Sequence, residues 1–398
     1  MEISDAEVAQ FRNDTPGTQH LIHFNNAGTS LPVTPVLNVI SHYFQQEAIL
    51  GGYEAEAQFQ KELDNTYNLI AQLINAKPEE ITLVENASSA WCIAFHGIDF
   101  QPGDEVLISE FEYVTNMIGY LYGEKHYKIV LKVIPNDENG NFSITSLKAS
   151  ITNKTKLIAV THIASATGGV LPVEEIGTVA AERGILYLVD ACQSVGQIPV
   201  DVDKIKCDFL SVTGRKYLRA PRGTGFLYVR TTSREHVTPL FIDGHSTTFI
   251  NDSYYTLRED GKRYEFYERN RALTLGLSQA VAYALNIGIN RIWDRISYLA
   301  AHLRTALKQI PGISIHDSGD QQCGIVTFSI EGHKSADIKT HLSQHHINVS
   351  VGLAQSTVLY MQKHELDTVV RASVHYYNTI EEISQFLGVL NKRVAGKL

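Results

Sequence analysis

The stretch SVTGRKYLRAPRGTGFLYV, residues 211–229, places one lysine between two apolar segments that are typical of β-strands. Lys216 follows a turn of small residues, and Arg215 and Arg219 lie close to it in the chain. The glycines of RGTG, residues 222–225, would let the backbone approach another group closely. Two interpretations compete. The segment is a basic surface turn, or its lysine lies beside a bound anion or a carbonyl cofactor.

Apolar segments of the same kind recur through the first two-thirds of the chain. They are DEVLIS (104–109), KIVLKVIP (128–135), TKLIAVTH (155–162), ILYLVDA (185–191), CDFLSVT (207–213) and GTGFLYV (223–229). Segments with helical patterns fit around them, at 34–49, 57–74, 88–98 and 173–184. Strands that are apolar on both faces are typical of a sheet covered by helices on both sides. The alternation therefore predicts an α/β fold with a large domain of mainly parallel sheet between helices.

The alternation of strand and helix patterns ends at about residue 261. A long helical stretch over 272–310 leads into shorter strand and helix patterns, which favour a smaller C-terminal α+β domain joined through one long helix. We predict an N-terminal segment over 1–20, a large cofactor-binding domain over 21–262, and a connecting helix with a small domain over 263–398.

Charge and cysteine usage narrow the class of protein. Lys and Arg total 34 against 43 Asp and Glu, and the net charge of −9 argues against nucleic acid as a partner. No apolar run approaches the roughly 20 residues of a membrane helix, and the acidic N-terminus does not resemble a signal peptide. The four cysteines lack metal-type spacing, so we expect no metal site and reduced thiols in a cytoplasmic protein.

Ligands in open α/β sheets bind at the carboxyl ends of the strands, where two chemical signals occur. Asp190 ends an apolar strand and Gln193 follows it; the acid is a helix cap, or it faces a protonated ring nitrogen. Ala87, Ser88 and Ser89 begin a helical segment, whose free N–H groups can hold a phosphate. Thr213 could add a hydroxyl to the same anion.

Together these signals match the requirements of a pyridoxal 5'-phosphate site. Lys216 would form the Schiff base with the cofactor aldehyde, and Asp190 would keep the pyridine nitrogen protonated so that the ring can accept electrons. The positive charge of Arg215 would favour the neutral, nucleophilic amine of Lys216.

With these residues in place, the sequence resembles the class V aminotransferase family of fold-type I pyridoxal phosphate enzymes. The motifs that carry the resemblance, in chain order, are NNAG (25–28), NASS (86–89), SEFEYVTN (109–116), THIASATGG (161–169), VDACQ (189–193), TGRK (213–216) and VRAS with YNT (370–379). They span nearly the whole chain. The segments around residues 213–229 and 347–379 look closer to the isopenicillin N epimerase and ergothioneine-pathway C–S lyase branch than to the cysteine desulfurases.

The resemblance assigns roles to individual residues. It implies cofactor contacts from Ala87, Ser88, Ser89, Tyr113, Ser165, Asp190, Gln193, Thr213, Arg215 and Lys216. It implies catalytic roles for Lys216, Asp190 and Tyr113. It implies substrate contacts from Asn26, Ala27, Gly28 and Arg371. Arg371 would bind the α-carboxylate through its planar guanidinium group, unless it is a surface arginine.

The sequence departs from the family pattern at several of these positions. Tyr113 and Arg215 stand where desulfurases carry histidines, and Ser165 followed by Ala166 replaces a Ser-Asn pair. The most consequential departure is the segment HINVSVGLAQSTVLYMQ (346–362), where desulfurases carry the cysteine that takes the sulfur. Without that thiolate the usual sulfur-transfer route has no nucleophile.

We therefore expect an enzyme that removes the α-proton of an amino acid, with C–S β-elimination ranked first. Transamination and epimerisation are the alternatives, and a persulfide-forming desulfurase or a non-catalytic binding protein ranks below them. His245, Arg263, Tyr264 and Arg269 either line the entrance or form a solvated loop. Family members are homodimers, so a homodimer is expected, with Tyr267-Glu268 where the cross-subunit Gly-Thr would stand.

Overall fold

The apolar segments quoted above are β-strands in the computed structural model, which describes residues 2–394. The strands are β1 Ile22–His23, β2 Ile81–Val84, β3 Glu105–Ser109, β4 Val130–Ile134, β5 Thr155–Thr161, β6 Leu186–Asp190, β7 Phe209–Thr213, β8 Gly225–Val229, β9 Thr247–Asn251, β10 Tyr254–Leu257, β11 Ile313–Ile315, β12 Ile325–Ile330, β13 Ile347–Asn348, β14 Ser350–Leu353 and β15 Thr368–Ser373. The helices are α1 Asp5–Asn13, α2 Thr34–Leu50, α3 Gly52–Gln58, α4 Gln60–Ile74, α5 Ala87–Gly97, α6 Val114–His126, α7 Ile144–Ser150, α8 Val173–Arg183, α9 Val202–Ile205, α10 Arg271–Ile287, α11 Ile289–Leu307, α12 Ser335–Gln344, α13 Val358–Lys363 and α14 Ile380–Val394.

Seven of the described strands form the central sheet, in the order β2-β8-β7-β6-β5-β3-β4. The strands β7, β6, β5, β3 and β4 run parallel to one another, whereas β8 is antiparallel to both β2 and β7. The predicted fold, an α/β protein with a mainly parallel sheet, is confirmed.

The sheet is buried on both faces, as the continuous apolar runs predict. Along β5, Ile158 and Val160 pack into one hydrophobic cluster while Leu157 and Ala159 pack into another. Successive side chains of a strand point to opposite faces, so each strand contributes to both clusters. The edge strand β4 is more exposed. This packing places the polar residues of the sheet at the strand ends.

A second sheet, antiparallel and ordered β11-β12-β15-β14, forms near the C-terminus. The segment near the N-terminus runs beside it: β1 pairs with β13 in parallel, and the Ser373 N–H donates to the Phe24 carbonyl at 2.7 Å. These contacts bring the NNAG loop, residues 25–28, beside the end of β15. The predicted boundaries of the segments 1–20, 21–262 and 263–398 stay a prediction.

The prediction of one long connecting helix over 272–310 is wrong in one respect. It is two helices, α10 and α11, bent by 78° at Gly288. Gly288 has a φ of +93°, which residues with a Cβ rarely adopt, and this conformation ends the first helix. In the described part of the chain no single helix is long and apolar enough to cross a membrane, and this bent pair meets the requirement by length and composition only.

Candidate active site

Three parallel strands end at the same edge of the central sheet, and a cavity of about 300 Å³ lies there. Thr161, Asp190 and Thr213 are the last residues of β5, β6 and β7, and Thr161 is the register partner of Asp190. The lining residues are Ala27, Gly28, Asn86, Ala87, Ser88, Tyr113, Thr115, Asn116, Thr161, Ile163, Ser165, Asp190, Cys192, Gln193, Thr213, Arg215, Lys216, Ser350, Val351, Ser356 and Arg371.

The cavity brings together most of the residues that the sequence predicts for the site. They are Ala27, Gly28, Ala87, Ser88, Tyr113, Ser165, Asp190, Gln193, Thr213, Arg215, Lys216 and Arg371. These positions come from segments that are far apart in the chain. Their individual roles toward a cofactor or substrate stay predictions.

Two predicted site residues do not line the cavity. Asn26 is fully buried and its amide is occupied: it donates to the carbonyls of His23 at 3.1 Å and Ser373 at 2.8 Å, and it accepts from the Tyr377 hydroxyl at 2.6 Å. Ser89 points back toward the Asn86 side chain, which caps the helix by accepting from the Ser89 N–H at 2.9 Å. In this structure both residues support lining segments rather than face the cavity.

The N-terminus of α5 opens onto the cavity. Asn86 caps this helix of 11 residues, and Ala87 and Ser88 form its first turn. The N–H groups of a first helical turn have no partners within the helix, and the helix dipole gives this end a partial positive charge. The first turn of α5 therefore offers a site for a phosphate group, and Thr213 lines the same cavity.

Lys216 is partly exposed to the cavity and lies among other ionisable groups. Burial lowers the pKa of its amine; Cys192 and Asp190 act in the opposite direction, and the charges of Arg215 and Arg371 lower the pKa further. A lowered pKa increases the fraction of neutral amine, which is the form that attacks carbonyls and accepts protons.

Asp190 accepts hydrogen bonds from two donors. One of these donors also lies close to a second buried acid, Glu112, which the sequence analysis did not identify. Its Oδ1 accepts from the Cys192 N–H at 2.9 Å and its Oδ2 accepts from the Asn116 amide at 3.0 Å. The same Asn116 nitrogen lies 3.4 Å from Glu112 Oε2, and Glu112 is only 1% exposed. Burial raises the pKa of Glu112 to about 7, and the charge of Asp190 acts in the same direction. The sequence signal for Glu112 was its spacing of four residues from Asn116 within SEFEYVTN, which places these two side chains on one side of a helical turn.

Arg371 lies in β15 between Thr327 of β12 and Ser350 of β14, and it is 8% exposed. One guanidinium nitrogen donates to both the carbonyl and the hydroxyl of Ser165, at 3.1 and 3.0 Å. Its Nε is buried and finds no acceptor among residues 2–394. The interpretation of Arg371 as a surface arginine is excluded, and its remaining donors are available to an anion in the cavity.

Tyr113 and Gln193 face the cavity from opposite segments. Tyr113 precedes α6 and is 37% exposed, so its ring is accessible for stacking. Gln193 is buried; its amide nitrogen donates to the Ala27 carbonyl at 3.1 Å, and its Oε1 accepts from no group in the described part of the chain. That acceptor is available to a donor on a bound molecule.

The loop at 353–357 contains no cysteine, but the structure places one thiol, that of Cys192, in another part of the cavity lining. Ser350, Val351 and Ser356 line the wall on this side. Cys192 also lines the cavity, and burial and the Asp190 carboxylate raise its thiol pKa well above the ordinary value. A thiol held in its neutral form is a poor nucleophile.

The segment near Glu265 is neither a solvated loop nor part of this cavity. Glu265 is buried and accepts from the Tyr67 hydroxyl, from the Leu83 N–H at 2.7 Å and from Arg269. His245 lies 3.3 Å from the same carboxylate. Tyr264, which is also buried, donates to the Val237 carbonyl at 3.2 Å. His245 and Arg269 belong to the Glu265 cluster and Tyr264 packs separately, so the alternative of a solvated loop is wrong for these three. Like Arg263, they do not line the 300 Å³ cavity.

The cavity fits pyridoxal phosphate by its chemistry. It has an anion-binding helix end, one acid at a strand end, an amine with a lowered pKa and an accessible aromatic ring. Two buried atoms at the cavity have no partner within residues 2–394: Gln193 Oε1 can accept a hydrogen bond from a bound molecule, and Arg371 Nε can donate one. Within residues 2–394 no cluster of three His, Cys, Asp or Glu side chains could hold a metal ion.

Known proteins resemble this chain over nearly its whole length. A sequence model of the family described as Aminotransferase class-V matches residues 22–386. A protein of Methanothermobacter thermautotrophicus named probable cysteine desulfurase is 30% identical, over 97% of each chain. The apo structure of a cysteine desulfurase from Thermococcus onnurineus NA1 has a TM-score of 0.92 at 28% identity and covers 100% of each chain. A structure described as the cystine C–S lyase C-DES with its product cysteine persulfide shares the fold, with a TM-score of 0.86 at 24% identity over 95% of this chain and 99% of the other.

Proposed function

We propose that this chain, which belongs to the aminotransferase class-V family, is a C–S β-lyase acting on a sulfur-containing amino acid. The family confirms the predictions of family and cofactor: the protein is a pyridoxal phosphate-dependent enzyme. The branch of the family and the reaction stay proposals.

The thiol chemistry of the cavity supports β-elimination over persulfide formation. No cysteine lies in the loop at 353–357, where Ser356 lines the cavity instead. Cys192, the thiol that lines the cavity, has a raised pKa and cannot readily act as a thiolate. Sulfur released from a substrate then leaves as a free product. The fold neighbour described as a cystine C–S lyase carries this type of activity on the same architecture.

The residues of the cavity divide the work of such a reaction. Ala87, Ser88 and Thr213 would hold the cofactor phosphate, and Asp190 would hold a proton on the ring nitrogen. When bound, pyridoxal phosphate supplies a ring that accepts electrons from the substrate Cα. Arg371 would hold the α-carboxylate.

Lys216 is the base that we propose for the substrate. Its amine takes the Cα proton, the Cβ–S bond breaks, and the sulfur leaves with the bonding electrons. Water converts the remaining enamine to pyruvate and ammonia, so one water is consumed and no oxidant is needed. The lowered pKa of Lys216 supports its role as the base.

The test is incubation of the holoenzyme with a panel of amino acids and assay of pyruvate, sulfide, keto acids and alanine. A lyase releases pyruvate with a thiol, sulfide or persulfide. A variant with Cys92, Cys192, Cys207 and Cys323 all changed to serine should retain pyruvate release. A second variant that keeps Cys192 separates any packing effect in the cavity from sulfur chemistry.

Cysteine desulfurase is the second candidate, because that name is carried by the relative that is 30% identical. It would yield alanine and a persulfide on one of the cysteines. Alanine formation that is lost with a single cysteine replacement would establish it. Release of a keto acid that retains the substrate side chain would instead indicate an aminotransferase, and inversion at Cα would indicate an epimerase.

We also propose a homodimer. A cavity of about 600 Å³ beside the candidate site is lined in part by exposed aromatic residues, namely Phe44, Tyr53 and Tyr267. Further exposed apolar side chains, Ile49 and Leu50, extend this surface along α2. Exposed apolar side chains grouped in this way mark interaction sites, and a second copy would bury them.

A further inference from the structure

Arg219 lies three residues after Lys216, in a backbone conformation that is unusual for an arginine. Its φ is +61°, in the left-handed region that favours glycine. Its N–H donates to the Lys216 carbonyl at 2.9 Å, so this conformation closes the turn that carries the lysine. The Ala220 N–H closes the same turn on the Gly214 carbonyl at 3.0 Å. A residue with a side chain keeps such a conformation only where its surroundings hold it, and positions of this kind cluster at functional sites.

The side chain of Arg219 is buried although it carries a charge. It is 3% exposed, and none of the ion pairs within residues 2–394 includes it. Its guanidinium donates to the Leu31 carbonyl at 2.8 Å, and to the hydroxyls of Tyr376 and Thr15 at 2.6 Å each. The same group lies over the Tyr377 ring, 4.4 Å from the ring centroid. Because a buried cation is costly without compensation, these neutral acceptors and the aromatic face must hold it in place.

These partners lead to the NNAG loop on one side. Thr15 and Leu31 flank the loop in the chain. The Tyr377 hydroxyl donates to the Asn26 amide oxygen at 2.6 Å. Asn26 directly precedes Ala27, which lines the cavity. The guanidinium group therefore contacts residues that hold this part of the cavity lining.

On the other side the partners lead to the strand of Arg371. Tyr376 comes shortly after β15, and Arg371 belongs to that strand. The same segment makes a second contact with the Lys216 turn, since His375 Nε2 lies 3.0 Å from the Tyr217 carbonyl. One buried guanidinium group thus joins the turn of the lysine to the NNAG loop and to the segment after β15.

We propose that Arg219 is a positioning residue, which fixes the Lys216 amine relative to the α-carboxylate site at Arg371. Arg219 itself is not among the residues that line the 300 Å³ cavity. The inference rests on the proposed roles of Lys216 as the base and of Arg371 as the carboxylate ligand. A base that moves by about 1 Å can lose on the order of 100-fold in rate. The planar guanidinium suits this task, because it reaches several acceptors in fixed directions and an ammonium group does not.

The kinetic test is Arg219→Lys, which keeps the charge but not the directed contacts. The holoenzyme is assayed by exchange of the α-proton of L-alanine for deuterium, a step that elimination, transamination and epimerisation share. We expect kcat to fall by about 10- to 100-fold, while KM changes little because Arg371 is retained. Arg234→Lys is the matched control. Arg234 is also buried, and it donates to the carbonyls of Glu79 and Glu259 away from the cavity, so its variant should exchange the proton at the unchanged rate.

A second measurement follows the Lys216 amine without turnover. Burial and the charges of Arg215 and Arg371 lower its pKa, against the effects of Cys192 and Asp190. An amine that leaves this position loses its burial, and its pKa rises toward the ordinary value. Acetylation of the apoenzyme over a range of pH, followed by peptide mapping, measures this pKa. We expect a higher pKa in the lysine variant, and no change in the control.

Tyr376→Phe keeps the proposal testable if Arg219→Lys does not fold. It retains the ring and removes one acceptor of the guanidinium, so exchange should slow by about 3- to 10-fold and the Lys216 pKa should rise less. An unchanged exchange rate or an unchanged Lys216 pKa in the folded variants, whatever their melting temperature, would overturn the proposal. If the unchanged holoenzyme exchanges no α-proton, the proposed function fails, and the Lys216 pKa alone decides whether Arg219 positions the amine.

Discussion

Asn116 donates a hydrogen bond of 3.0 Å to Asp190, 74 residues further along the chain. The same amide nitrogen lies 3.4 Å from Glu112, so one side chain connects the acid of the candidate site with a second acid beneath it. Glu112 also accepts from Ser109 at 2.6 Å and from the Thr161 N–H at 2.9 Å. The charge of Asp190 adds to burial in raising the pKa of Glu112.

The first prediction concerns the pH dependence of stability. The pKa of Glu112 is raised from 4.5 to about 7, mainly by burial, so the folded protein binds this proton more tightly than the unfolded chain does. Its contribution to stability is therefore present below the unfolded pKa and is lost as the pH rises through about 7. Glu112→Gln should flatten the dependence of the unfolding free energy on pH over this range, measured by denaturant titration. Tyr120→Phe, which removes one donor to Glu112, should extend the dependence to higher pH. An unchanged slope in Glu112→Gln would contradict the assignment.

The second prediction concerns the acid of the site. Asp190→Asn should retain bound cofactor, because the phosphate site lies elsewhere, but lose roughly 10²- to 10⁴-fold in kcat since a neutral amide cannot hold the ring proton. Cofactor content is measured by absorbance and turnover by pyruvate release. Turnover close to that of the unchanged enzyme would mean that Asp190 serves only as a hydrogen-bonding cap for the Cys192 N–H.

The third prediction concerns the lysine. Lys216→Ala should abolish α-proton exchange, and it should stay folded with an equal or higher melting temperature, because it removes a cation that Arg215 and Arg371 repel. Borohydride reduction of the unchanged holoenzyme followed by peptide mapping should label Lys216. Lys363→Ala, at a half-exposed lysine that pairs with Glu110, is the control for a lysine outside the cavity. A label on any other lysine would show the assignment to be incorrect.

The fourth prediction concerns assembly. Sedimentation should give a two-fold homodimer, and Phe44→Glu should shift it toward monomer by placing a charge on the apolar surface beside the larger cavity. Tyr298→Glu, at an exposed tyrosine of α11, should leave the dimer intact. An unchanged protein that is monomeric and fully active would refute the homodimer.

Local patterns in the chain were sufficient for the architecture and for most of the cavity. The apolar runs of β3, β5, β6 and β7 predict strands buried on both faces, because a strand covered on two sides lacks the alternation of apolar and polar residues seen in half-exposed strands. Asp190 and Thr213 are polar residues at the ends of two such runs, and parallel strands end at one edge. The small-residue turn after β7 and the acid at the end of β6 indicate Lys216, whereas Arg371 is identified only through the resemblance to the family.

Contacts between distant segments could not be read in the same way. The pairing of Asn116 with Asp190 depends on how α6 packs beside β6, and the exclusion of Asn26 from the cavity depends on its partners Ser373 and Tyr377, about 350 residues away. The helix break at Gly288 depends on a backbone torsion angle that glycine permits but does not require. Hydrophobic periodicity is a property of neighbouring residues, whereas the direction of a buried polar side chain is chosen by whichever partners packing brings within reach, and those partners are set by the whole fold.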